Sequence, residues 1–558
     1  MPPPSPPKSC DFPGAAVNAH MRRPVALWGL AAFLGLWLGF PNDLLSAPPL
    51  VLLWPLALTA LGLGAPTAAA ALRRGWLASL AGATAALYWL SLPVHDVGGL
   101  PWALAVPCAV LIAAIVTAQG GVFSAAARLG RDLPPWRLAL ALALFWYLLE
   151  YAAAVLIGFP WLPLAGALAV WPLLVQAADT LGAWATGALW LWACLLALFA
   201  CPGTAALPAT GFRPRRLACA VAVAALTLAY GLWRLEAAPL EISPTGPDSM
   251  AVLFVEGNVD QGQKWLPDMQ VETVDLYCSL TERGLAALGW HAGEAGAEPP
   301  LVIWPETALP FFFQTHRLSG RVLELVREEK VPLLFGAPGV ERLAPGQGDE
   351  PLIFNRAFLL GPDGRLTGWY DKEHLVPLGE YLPGWLNWPF LEALLQGVGV
   401  YTEGTATAPL TYGNLALGVL ICYEGIFPWL ARARVTDGAN ILVDISNDGW
   451  FRGTPASRQH LALTVLRALE EERWLLRGTN TGISAVVDTR GRLTASGPQF
   501  RAGTLAARAR LCEGVSRYRL LAPWLPLLAA AGLCAVTLLR PRRGPKPGES
   551  APGTGAHA

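Results

Sequence analysis

Residues 415–424 read LALGVLICYE. Seven small or apolar residues run into Cys422, and Tyr423, Glu424 and Gly425 follow, which predicts a buried strand ending in a tight turn. Cys422 then stands at the strand exit. A rigid strand fixes the sulfur there, and the turn after it offers backbone N–H groups to a developing oxyanion. A lone cysteine is more often inert and buried, so its meaning depends on the stretches around it.

Working outward, strand and helix patterns alternate. Strands are expected at 250–259, 300–304, 331–336 and 440–445, and helices at 268–288, 318–330, 428–436 and 457–473. Hairpins are expected at 354–370, around Gly361-Pro362-Asp363-Gly364, and at the turn Thr489-Arg490-Gly491-Arg492. This alternation predicts a layered α/β domain. Two further strand ends carry charges: Glu306 follows Leu301-Val302-Ile303-Trp304-Pro305, and Lys372 follows Trp369-Tyr370-Asp371. Each alone reads as a solvated loop charge. Together with Cys422 they form a chemical set. A buried carboxylate serves as general base for a thiol, and an adjacent ammonium favours the thiolate and stabilises the oxyanion formed on a carbonyl. That set suits acyl transfer through a thioester.

The rest of the chain is of another kind. Of 558 residues, 54% are hydrophobic and 14% charged, which marks a membrane protein. The formal net charge of zero gives no sign of a nucleic-acid partner. Nine cysteines without CxxC or Cys/His spacing argue against a disulfide framework or a zinc site. Apolar runs near bilayer length lie at 24–40, 48–66, 76–94, 101–122, 138–157, 177–200, 217–234 and 520–539. Arginines cluster at every second connection, at Arg22/Arg23, Arg73/Arg74, Arg128/Arg131/Arg137, Arg213/Arg215/Arg216 and Arg540/Arg542/Arg543, which puts both termini in the cytoplasm. The expected division is a disordered cytoplasmic tail at 1–23, seven transmembrane helices in 24–235, an outer, periplasmic domain at 236–517, an eighth transmembrane helix at 518–540 and a cytoplasmic tail at 541–558. The apolar stretch 161–178 would break this parity and is read as an interfacial or re-entrant segment on the outer side.

Trp304-Pro305-Glu306, Tyr370-Asp371-Lys372 and Ile421-Cys422-Tyr423-Glu424 resemble the three catalytic signatures of the nitrilase, or carbon-nitrogen hydrolase, superfamily. Joined to multiple spans, they resemble its apolipoprotein N-acyltransferase branch, as do EGNVDQGQKW from Glu256, DKEHLVPLGEYLP from Asp371, SNDGWF from Ser446 and GFPWLP from Gly158. The resemblance implies a nitrilase-like αββα sandwich beside the multi-span helical membrane domain. It implies Glu306 as base, Lys372 as oxyanion stabiliser and Cys422 as nucleophile, with supporting roles for Glu380, Tyr423, Glu424, Trp265 and Asn355. It further implies that an acyl chain passes from the sn-1 position of a phospholipid, through a Cys422 thioester, to the N-terminal α-amine of a diacylated apolipoprotein at the inner membrane, with no cofactor and no metal. Two residues depart from the branch pattern: Glu256 replaces an expected Gln, and Arg452 an expected Gly. Residues 384–400, GWLNWPFLEALLQGVGV, place Trp385, Trp388 and Phe390 in a glycine-flanked segment that reads as a lid dipping into the bilayer. Two alternatives are a tethered nitrilase-like hydrolase, and a transporter or scaffold with an inactive outer domain. Within the spans Glu150 is the main ionisable residue, which argues against transport.

Overall fold

Alternation of side chains along the strands builds the α/β half of the protein. In β1 (Met250–Glu256), Val252 and Phe254 point to one core while Leu253 and Val255 point to another. The computed structural model describes residues 14–96, 98–201, 212–237, 249–294, 296, 298–342, 351–377, 379–381 and 401–538. The other strands are β2 (Leu301–Ile303), β3 (Leu333–Glu341), β4 (Leu352–Leu360), β5 (Leu366–Asp371), β6 (Leu410–Tyr412), β7 (Leu415–Ile421), β8 (Ile441–Ser446), β9 (Leu475–Thr479), β10 (Ala485–Val487), β11 (Leu493–Ser496) and β12 (Gly503–Ala509). They form two six-stranded sheets, ordered β12-β1-β2-β3-β4-β5 and β11-β10-β9-β8-β7-β6. β1, β2 and β3 run parallel, as do β7, β8 and β9.

The sheets pack face to face through Val252, Phe254 and Ile303 on one side and Leu417, Val419, Ile421 and Val443 on the other. Helices Pro267–Ala287 and Ser319–Glu329 cover the outside of the first sheet. Helices Pro428–Thr436 and Ala456–Glu471 cover the second. The result is a nitrilase-like αββα sandwich. Strand β12 lies beyond the elements read from the sequence: it alternates in exposure and completes the first sheet antiparallel to β1.

The helical half differs in detail from eight equal spans. Among the described residues every apolar run expected to cross is helical, but only Trp102–Asp132, Pro135–Ile157, Ala178–Leu198 and Pro214–Glu236 are individually long and apolar enough, with Ala68–Ala86 and Tyr88–Asp96 forming a further pair bent by 66°. Pro24–Gly39, Pro48–Leu63 and Leu525–Leu538 are shorter. Glycines shape this packing: a Cβ on Gly39 would lie 2.4 Å from the backbone of Val51, so the first two helices touch backbone to backbone.

Residues 158–163 form no helix, and the short helix Leu164–Leu168 that follows is wholly buried against Leu463 of the sandwich. The apolar stretch 161–178 is therefore an interface between the two halves. Gln459 is a second tie. Its Oε1 accepts from the indole N–H of Trp89 (3.1 Å) and Trp161 (2.9 Å), and its Nε2 donates to the carbonyls of Pro41 (3.0 Å) and Ala86 (3.1 Å). A buried ion-pair chain is a third, in which Arg234 binds Asp179 (2.5 Å) and Glu472, and Glu472 also holds Arg490 (3.0 Å).

Candidate active site

Glu306, Lys372 and Cys422 leave the ends of β2, β5 and β7, so two come from one sheet and the third from the other. The turn after β2 sits directly on β3: a Cβ on Gly336 would meet Thr307 N at 2.5 Å and Glu306 Cα at 2.7 Å, so only glycine lets the strand pass. Cys422 has φ of +55°, a left-handed conformation costly for a side-chain-bearing residue and typical of strained functional turns.

The three side chains are buried, with Glu306 6%, Lys372 1% and Cys422 9% exposed. Lys372 Nζ lies 3.6 Å from Glu306 Oε1 and donates to Glu380 Oε1 at 2.9 Å. Asn355, on β4, donates Nδ2 to both Glu306 Oε1 and Glu380 Oε1 at 2.7 Å. The second oxygen of Glu306 accepts from the backbone N–H of Asn447 (2.9 Å), and that of Glu380 from Val376 N–H (2.8 Å). One amide and one ammonium thus hold two carboxylates in a fixed arrangement.

Burial drives the electrostatics. It raises the Glu306 carboxyl, against the pull of Lys372 and helped by the charge of Glu380. It also raises the Cys422 thiol far above its ordinary range, with Glu306 adding to the rise and Lys372 opposing it. Burial works to lower the Lys372 ammonium, but Glu380 and Glu306 overcome it and raise it. The resting set is therefore a neutral thiol beside a permanent cation and a carboxylate of heightened basicity, ready for proton transfer on demand.

Glu424 is committed to the two turns that carry Lys372 and Cys422. Its Oε1 accepts from Tyr370 Oη (2.7 Å) and from the N–H groups of Glu373 (2.7 Å) and His374 (3.0 Å), while Oε2 accepts from Ile421 N–H (2.8 Å). It staples the Cys422 turn to the Lys372 turn. Tyr423 donates its hydroxyl to the carbonyl of Gly158 and stacks on Phe159 and His374, joining the Cys422 turn to the helical half. Trp265 is 43% exposed, at the rim beside the Lys264 ammonium. Trp385, Trp388 and Phe390, expected from the sequence to form a lid, fall outside the described residues.

Three groups near the site are not singled out in the sequence reading, although Lys264 lies inside the quoted stretch EGNVDQGQKW. Lys264 is 2% exposed, acts on Glu306 and is lowered to about 8 by burial, with Glu306 opposing. Asn447 lies in the SNDGWF stretch, but its contact with Glu306 is through the backbone. His460 Nε2 is 3.1 Å from the Cys422 carbonyl, and its Nδ1 meets Asp448 (3.2 Å) and Arg477 (3.0 Å), which buttresses the turn from behind. The one hint of His460 in the sequence is its helical position, on the face turned to the sheet.

The carbon-nitrogen hydrolase family profile matches residues 266–513, and that of the apolipoprotein N-acyltransferase N-terminal domain matches residues 31–196. An apolipoprotein N-acyltransferase of Geobacter metallireducens is 34% identical over 508 residues, 91% of this chain and 93% of that protein. One of Pseudomonas aeruginosa is 31% identical over 547 residues, 90% of this chain and 95% of that protein. A carbon-nitrogen hydrolase structure from Helicobacter pylori is 16% identical, with a TM-score of 0.34 covering 50% of this chain and 94% of its own. With both halves matched and relatives above 30% identity aligned along almost their whole length, the chain belongs to the apolipoprotein N-acyltransferase family.

Proposed function

We propose that the chain moves an acyl group from the sn-1 position of a phospholipid to the N-terminal α-amine of a diacylglyceryl-cysteine in apolipoproteins, through a thioester on Cys422. The observation that carries this reading is the buried cluster of Glu306, Lys372 and Cys422 in a chain of this family. Glu306 takes the thiol proton as the sulfur attacks the ester carbonyl. The Lys372 ammonium faces the oxyanion of the tetrahedral intermediate. As that intermediate collapses, the glycerol oxygen leaves with the proton from Glu306, giving lysophospholipid and the thioester. In the second half, the acceptor amine attacks, Glu306 takes its proton, the amide forms and the thiol is restored. Asn355 and Glu380 hold base and cation in place throughout.

The placement we propose is the bacterial inner membrane, with the sandwich on the periplasmic face and both termini in the cytoplasm. Helix geometry supports it. Arg74 and Arg128 bond to the carbonyls of Gly64, Ala65 and Pro66, whereas the opposite end of the helix bearing Arg74 reaches Gln459 of the sandwich through Ala86. These two arginine-bearing connections thus lie away from the sandwich, as expected when they are cytoplasmic.

The test is mass spectrometry of the purified protein with phospholipid and then with a diacylated lipopeptide. An acyl adduct on Cys422 that disappears as the lipopeptide gains one acyl chain is the expected result. Cys422→Ser should lose turnover, because an alkoxide is far harder to form than a thiolate. Lysophospholipid release with no lipopeptide acylation would assign a hydrolase instead. Full turnover in Cys422→Ala would remove the mechanism.

A further inference from the structure

A cavity of about 230 Å³ lies where three membrane helices meet the sandwich, away from the Glu306–Lys372 pair. Its walls are Tyr147 and Tyr151 of helix Pro135–Ala152, Trp184 of helix Ala178–Leu198, Trp429 and Arg432 of helix Pro428–Thr436, and Tyr518 of helix Arg517–Leu521. Arg432 is half-buried and makes no hydrogen bond or ion pair among the described residues. Two carboxylates feel its charge at longer range, Glu470, which is committed to Arg467 at 2.9 Å and to the N–H of Ala183 at 2.8 Å, and Glu471, which lies 4.0 Å from Arg519; neither is hydrogen-bonded to Arg432. The hydroxyls of Tyr147, Tyr151 and Tyr518 likewise have no hydrogen-bond partner among the described residues. A cation and three free hydroxyl donors therefore surround one space.

The flank of the cavity is apolar and open. Val155 (53% exposed), which lines it, and Leu156 (81%), Trp524 (60%) and Leu528 (60%) beside it leave large hydrophobic side chains uncovered. These belong to the ends of membrane helices nearest the sandwich, where headgroups meet acyl chains. A soluble anion would satisfy Arg432 but would leave that apolar flank in water. A phospholipid satisfies both: its phosphate pairs with the guanidinium and the tyrosine hydroxyls, and its chains cover Val155, Leu156 and Leu528.

The geometry points to a second, non-catalytic binding site for the phosphate headgroup of a bilayer phospholipid, centred on Arg432. The site adjoins the reacting turn: Trp429 packs on Phe427 (5.0 Å between rings), which packs on Tyr423 (5.0 Å). Occupancy would thus brace the wall behind Cys422. The inference rests on the membrane placement proposed above and not on acyl transfer.

The experiment uses the full chain carrying Cys422→Ala, reconstituted in phosphatidylcholine vesicles doped with a phosphatidylethanolamine bearing a photoreactive group on its headgroup. Adducts are mapped by peptide mass spectrometry. The expected adducts lie on peptides holding Tyr147–Val155, Trp429–Arg432 and Tyr518–Pro526. They should fall about tenfold in Arg432→Gln and in Ala522→Trp, which fills the cavity, and about threefold in Tyr518→Phe, which removes only a hydroxyl. The last variant reports even where the bulkier changes impair folding. Unlabelled phospholipid should compete; millimolar inorganic phosphate should not. Absence of these adducts, or labelling unchanged in folded Arg432→Gln and Tyr518→Phe, overturns the site. Equal suppression by inorganic phosphate overturns the lipid as its ligand. Because the parent protein cannot form a thioester, failure of the acyl-transfer mechanism would leave these readouts untouched.

Discussion

Replacing Glu380 with glutamine should slow thioester formation and move its acid limb to lower pH. Glu306 and Glu380 each place an oxygen 2.7 Å from the same Asn355 nitrogen, so those oxygens lie no more than twice that distance apart. Two buried charges about 5 Å apart repel by roughly 3 kcal/mol at an effective dielectric of 20. In the native site that repulsion adds to the basicity of Glu306, whose carboxyl is raised first by burial. The Glu380→Gln change keeps an acceptor for Lys372 but removes the charge. Glu306 then loses its proton more readily, so the limb reporting its ionised form moves down by about one to two pH units. A weaker base also takes the thiol proton less well, and the plateau rate should fall about 10- to 100-fold. The assay is single-turnover release of lysophospholipid between pH 4 and 9, with melting temperature and Cys422 alkylation as controls for folding. An acid limb that stays in place or moves up, in a folded protein, would refute the coupling between the carboxylates.

Lys372→Arg should fail to restore activity, since the planar guanidinium cannot occupy the site of a compact ammonium held at 2.9 Å from Glu380; full turnover would show that a diffuse positive field suffices. Gln459→Leu removes four hydrogen bonds across the two halves and strands two buried indole N–H groups, so a loss of about 2–5 kcal/mol in stability is expected from melting in detergent. Glu256, which stands where the resemblance leads one to expect Gln, is raised from its ordinary value to about 7 by burial. Between pH 4.5 and 7 the folded state therefore holds a proton that the unfolded state releases, and stability falls as pH rises through that window. Glu256→Gln should be more stable than the parent by about 1–3 kcal/mol at pH 8 and about equally stable at pH 5, read from thermal melting; a variant that is no more stable at pH 8 contradicts this. Arg452 has φ +48° and ψ −154°, a region suited to glycine, while its ion pair with Asp96 at 2.8 Å is largely exposed. Arg452→Gly should leave stability unchanged or raise it by about 1–2 kcal/mol, since backbone relief exceeds a surface ion pair; a clear drop in melting temperature would show that the Asp96 contact matters more.

Much of this molecule is written in short-range pattern. Continuous apolar runs mark β1, β7 and β8, the helix expected near 428–436 is Pro428–Thr436, and a charged or reactive residue just past a strand marks the exits that carry Glu306, Lys372 and Cys422. Apolar runs mark the membrane half, although length alone does not separate the bent pair Ala68–Ala86 and Tyr88–Asp96 or the short helices from simple spans. Strand β12 escapes because alternating small and polar residues, GTLAARA, give little hydrophobic contrast on an exposed edge.

What the chain determined by itself is local: strand faces, turns, helix extents and the residue types available for chemistry, all set by interactions within a few positions. The tertiary structure decided which of those residues share one space. Glu306 and Asn447 are 141 positions apart, and Tyr423 and Gly158 are 265 apart. Such pairs depend on sheet order, on the packing of one sheet on another, and on how the sandwich settles on the helices. Asn355 shared between two carboxylates, Lys264 beside Glu306, His460 behind Cys422 and Arg432 without a hydrogen-bond partner among the described residues follow from that packing, because burial and neighbours, rather than residue type, set the charge and reach of a polar group.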